Sequence, residues 1–103
     1  MAYSYKILHG AKLELENIIE YLAMVSGISA VASFLEEYEK QITLICENPA
    51  IYACSRMREL ANLGYRVALI KNYLMLYSVC DGTVYVSHFF HQKQDYAHLI
   101  FSS

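Results

Sequence analysis

The apolar residues of this chain change their spacing once, and that change restricts the folds open to it. Leu15, Ile18, Ile19 and Leu22 fall at i, i+3, i+4 and i+7, one stripe of a helix beginning near Ala11. Ser26-Gly27 interrupts the pattern, and Ser29 is placed to cap a second helix. Val31, Phe34, Leu35, Tyr38, Ile42 and Ile45 then continue at helical spacing until Asn48-Pro49, where the ring removes an amide donor and disfavours helix before it. Beyond that point the period is strand-like. GYRVALI (64–70), NYLMLYSV (72–79) and TVYVSHFF (83–90) are rich in β-branched and aromatic residues. Lys71-Asn72 separates the first pair, and Asp81-Gly82 is a two-residue hairpin signal.

Three shorter segments complete the reading. YSYKILH (3–9), ended by Gly10, is a candidate first strand. IYACSRMRELANLG (50–63) reads as a loop with room for a helical turn, and DYAHLIF from Asp95 as a short terminal helix. The order is β-α-α-β-β-β-α. Strands and helices are segregated, so the expected class is α+β: an antiparallel sheet, made of the lone N-terminal strand and a three-strand meander, packed against an N-terminal antiparallel helical hairpin. A length of 103 residues, with four glycines and one proline, leaves room for a single domain over 1–103 and no linker.

Charge narrows the function classes. Net charge is −2 at pH 7, with the N-terminal half acidic and residues 56–103 mildly basic. That balance excludes a strongly basic nucleic-acid binder; RNA contact would be local or aided by a larger partner such as a ribosome. Ten tyrosines suggest either rings packed on strand faces or a surface covered by another protein. Cys46, Cys54 and Cys80 make no CxxC pair and read as apolar residues in a reducing cytosol. No signal peptide or membrane span is expected, which makes the cytoplasm the expected location.

Polar chemistry concentrates in HFFHQKQDYAHLI (88–100). If no bulge intervenes, His88 shares a face with Val84 and Val86 and reads as a packed histidine. His91 falls at the strand end, where functional side chains gather. Asp95 reads as the cap of the terminal helix, and His98 as a surface or packing residue. The histidines lack companion ligands at metal spacing, so no metal and no cofactor are expected. Arg66 alternates with Tyr65 and Val67. If the helices cover the Tyr65/Val67/Leu69 face, Arg66 lies on the open one. The glutamates of the two helices read as a solvated face.

Taken in order, Pro49 after the hairpin, Gly64-Tyr65-Arg66 opening a strand, Asn72-Tyr73-Leu74 with Tyr77, and a His-x-Lys-x-Asp-Tyr run ending at Tyr96 resemble the RelE/ParE superfamily of type II toxins, the plasmid stabilization proteins. The first strand and the Ala11–Tyr21 helix also match, so the resemblance covers nearly the whole chain. It implies a toxin silenced by a cognate antitoxin. RelE-like members cut mRNA in the ribosome, whereas ParE-like members poison DNA gyrase.

A metal-independent ribonuclease needs a base, an acid and cations for the developing phosphorane charge. His91, Lys93, Arg66 and Tyr96 are the catalytic candidates if the chain is a nuclease. Against that, Leu74 stands where RelE-like nucleases carry an arginine, and no arginine follows Arg66. Lysine replaces a bidentate phosphate contact poorly. The preferred reading is therefore a ParE-like, non-nucleolytic gyrase inhibitor. The alternatives are a RelE-like endoribonuclease and a decayed toxin retaining only antitoxin binding, and a homodimer stays open.

Overall fold

The structure is a computed structural model and describes residues 3–52 and 58–93. The expected terminal helix, with Asp95, Tyr96 and His98, lies outside the described residues. Strand β1 (Ser4–Ile7) leads directly into helix α1 (His9–Ser26), and helix α2 (Ile28–Glu47) runs back along it. In the segment read as a loop with room for a helical turn, the described residues form a single 3-10 turn over Pro49–Ile51 and a five-residue helix α3 (Arg58–Asn62). Strands β2 (Arg66–Ile70), β3 (Tyr73–Cys80) and β4 (Thr83–His91) follow as a meander.

The helices form for the reasons their periodicity gives. Ala11 and Ile18 of α1 are buried, with Leu15 and Leu22 packed against the same core; Phe34, Tyr38, Ile42 and Ile45 of α2 face them. The hairpin turns on Gly27, not on a serine cap. Its φ of 89° is a backbone state that favours glycine, its N–H donates to the Leu22 carbonyl, and its own carbonyl accepts from Ala30 and Val31. Ser29 thus lies inside the first turn of α2, and no side chain caps that helix. Asn48 ends α2, its side chain accepting the Ala50 amide at 3.3 Å with Pro49 first in the 3-10 turn.

The sheet order is β1-β4-β3-β2. Both meander pairs are antiparallel, while β1 adds to β4 in parallel, so the four-stranded sheet is mixed. Asp81 and Gly82 both take positive φ at the β3–β4 turn, as a two-residue hairpin loop of this kind requires.

Two expectations about sheet faces are corrected. Ala68 and Ile70 are fully buried against the helices, whereas Leu69 is 51% exposed, so Arg66 shares the helix-covered face and not the open one. The run Val67-Ala68-Leu69-Ile70 is apolar on both sides, and alternation alone could not choose between them. Cross-strand register decides: Ile70 pairs with Tyr73, whose ring meets Phe34 of α2 edge-on at 5.5 Å. In β4 the register steps from Tyr77↔Val86 to Leu76↔His88, leaving Ser87 as an extra residue. This bulge turns His88 away from the Val84/Val86 side, and Phe89 takes the core position instead.

Candidate functional site

Beyond the bulge, β4 carries Phe89 and His91 toward the helices. His91 pairs with Tyr73, and the two rings meet edge-on with centroids 5.3 Å apart. Between them and α1 lies a cleft of about 510 Å³ whose walls include Asn17, Tyr21, Asn72, Tyr73, Phe89 and His91. Burial, and then the neighbouring Tyr21, push the Tyr73 phenol above its ordinary range. The turn after β4 folds back: Gln92 donates its amide to the Asn72 carbonyl at 2.8 Å, and His91 Nδ1 accepts the Lys93 amide at 3.2 Å. His91 therefore lines the cleft, and the exposed Lys93 follows it in the turn, tied to the His91 ring through its backbone amide. Together they bring one imidazole and one lysine point charge to this end of the sheet.

Arg66 stands elsewhere. It pairs with Tyr77, four residues along β3 from Tyr73, which places it about 13 Å along the strand direction from the Tyr73–His91 row and two strands away. Its guanidinium donates to the Tyr52 carbonyl at 2.6 Å. The Tyr52 hydroxyl in turn donates to the Gln41 amide oxygen, and Gln41 Nε2 donates to Glu37 at 2.7 Å. Nearby, the fully buried Tyr77 hydroxyl donates to the Pro49 carbonyl at 2.9 Å. Together these bonds fasten the segment after α2 to the sheet. Tyr52 carried no signal in sequence, because its partners Gln41 and Arg66 lie 11 and 14 residues away on other elements; the Gln41–Glu37 bond is an i, i+4 pair within α2.

Glu14 departs from the solvated face expected of it. It accepts the Phe89 amide at 3.1 Å, and the same oxygen lies 3.3 Å from His88 Nδ1. The amide bond is the stronger tie. His88 Nδ1 is buried but lacks hydrogen-bond alignment, so its attraction to Glu14 is Coulombic and requires a protonated ring. His88 also stacks on Phe90 at 5.5 Å, on the face away from the core. Among the described residues no three histidines, cysteines or carboxylates are grouped to hold a metal.

The helical hairpin laid across a mixed four-stranded sheet is a fold this chain shares with a solved structure. A solved structure described as the chromosomal ParDE TA system from P. aeruginosa superposes with a TM-score of 0.68. The match covers 87% of this chain and 96% of that one, and at 13% identity it speaks for the fold alone. The family model for the ParE toxin of the type II toxin-antitoxin system parDE matches residues 5–96. The chain belongs to the ParE toxin family of type II toxin-antitoxin systems, whose toxins have an antitoxin as partner. No curated protein matches it.

Proposed function

We propose that this protein inhibits DNA gyrase by binding it, cuts no nucleic acid, and is silenced by a cognate antitoxin. The observation that carries the non-nucleolytic part is the separation of Arg66 from His91 and Lys93. Strand cleavage needs base, acid and cation around one phosphate, within hydrogen-bond reach of it. Here the arginine is engaged by the Tyr52 carbonyl at the other end of the sheet. The His91–Lys93 pair keeps a single lysine, a point charge where a bidentate fork would be needed. Leu74, at the position where an arginine serves RelE-like nucleases, adds no charge.

The gyrase target rests on the resemblance to ParE-like toxins, which poison DNA gyrase, supported by membership of the ParE toxin family. Inducible expression with DNA and protein synthesis followed separately tests it. Early loss of DNA synthesis with gyrase-linked breaks is expected. Early loss of translation with cut mRNA would instead mark a ribosome-dependent endoribonuclease and overturn this reading. Good soluble expression with no growth defect would mark a protein that keeps only antitoxin binding. No described helix is long and apolar enough to cross a membrane.

A further inference from the structure

We infer that the end of β4 is a two-register element, which can exchange the side chains it presents to the cleft while keeping β3 as its strand partner. The observation behind it is the bulge at Ser87 followed at once by His88-Phe89-Phe90-His91. In the register described above, Phe89 and His91 face the helices, and His88 and Phe90 face the other way. Without the bulge, pairing would continue from Tyr77↔Val86 with Ser87 opposite Leu76, His88 opposite Met75, Phe89 opposite Leu74 and Phe90 opposite Tyr73. Such a slip sends every side chain to the other face, which ordinarily exposes the apolar set and is forbidden by that cost. Here the order imidazole-phenyl-phenyl-imidazole reads the same in both directions. Each face receives one phenyl and one imidazole in either register.

Two further features leave the slip open. β4 loses its second strand neighbour where the slip would begin: Ile7 pairs with Val86, and the Leu8 amide donates to the Val86 carbonyl at 2.9 Å, after which α1 takes over that edge. There Glu14 accepts the amide of the residue opposite Met75, a bond that Phe89 makes now and His88 would make after the slip. The bulge itself is also unfixed by any special backbone. Among the described residues, positive φ occurs at turns and not at Ser87, so no glycine-like state holds the extra residue in place. What favours the bulged register is the core position opposite Met75. Phe89 is 3% exposed there, with its ring 5.9 Å from that of Tyr38, and the slip would put the His88 imidazole in its place. That exchange gives up apolar burial and adds a polar N–H in need of a partner. In the other direction, the slip restores the ladder that Ser87 interrupts. The opposing terms make the slipped form a minor state, on the order of 1% of molecules.

The consequence lies in the cleft. The bulged form sets the His91 imidazole beside Tyr73, and the slipped form sets the Phe90 phenyl there. A ligand that prefers either wall draws the population toward it. This inference is independent of the cellular target. Chemical-exchange saturation transfer on the isotope-labelled full chain tests it. The amides of residues 87–91 should share one minor state, and those of Thr83 and Val84 should lie outside it. His88→Phe removes the penalty at the core position and should make the slipped register predominant. Cross-strand nuclear Overhauser contacts of residue 88 would then move from Leu76 to Met75. Deleting Ser87 removes the extra residue, keeps His88 opposite Leu76 and should abolish the minor state. A folded His88→Phe protein that keeps residue 88 opposite Leu76 overturns the inference. If that variant does not fold, the parent decides: a single state across residues 87–91 overturns it as well.

Discussion

Arg66 shows how much a single side chain's meaning depends on the face it occupies. On an open face it would be a cation awaiting an anion. On the helix-covered face it donates to the Tyr52 carbonyl and holds the segment after α2 against β2. Arg66→Met keeps most of the apolar stem and removes that charged donor, so it should cost about 1.5–3 kcal/mol in urea unfolding. If cell killing survives at matched folded protein, Arg66 has no part in chemistry. Neither this role nor that of His88 was legible in sequence. β2 is apolar on both sides, and the extra residue at Ser87 reverses the alternation of β4 without any glycine or proline to announce it. His91 was legible as a strand-end residue, but its edge-on contact with Tyr73 depends on cross-strand register.

The elements themselves were far easier to read. Both helices follow their apolar stripes, and all three meander strands follow their β-rich runs to within two residues, because each pattern is local and repeated. The turns were legible where chemistry is restrictive, as at Asp81-Gly82. Gly82 has φ +78° and open space where a methyl group would sit, so Gly82→Ala should cost on the order of 1 kcal/mol through backbone strain alone. Thermal denaturation measures it. Contacts between elements left no local trace. β1 ends at Ile7, so the edge of β4 beyond Val86 passes from strand pairing to α1, where Glu14 accepts the Phe89 amide. Glu14→Ala should leave that amide exposed on a sheet edge. Hydrogen exchange at Phe89 should accelerate, and stability should fall by about 1 kcal/mol.

Across the whole molecule, buried phenols and a thiol set a limit on alkaline stability. Tyr38 is pushed well above its ordinary range by burial first, then by Tyr5 and Glu39; Tyr73 is raised by burial and then Tyr21; Cys46 is raised by burial. Each folded-state value exceeds the unfolded one, so the native state holds these protons more tightly. Their stabilising contribution is complete below the unfolded values and is lost as pH rises through the folded ones. Stability should therefore be flat through neutral pH and decline above about pH 9, first through Cys46 and then through the tyrosines. Tyr38→Phe should flatten the upper part of that decline in pH-dependent urea melts.

The parallel seam between β1 and β4 also governs when the molecule can come into being. Ser4 pairs with Thr83 and Ile7 with Val86, partners 79 residues apart, whereas the helical hairpin closes between near neighbours. During synthesis the hairpin can form as soon as it emerges, but the sheet cannot close until β4 has left the ribosome. For most of its translation the nascent chain would thus present a helical hairpin whose apolar stripe still lacks the sheet that will cover it. Any chaperone or partner that recognises exposed apolar helix has that interval in which to act, before a competent toxin exists.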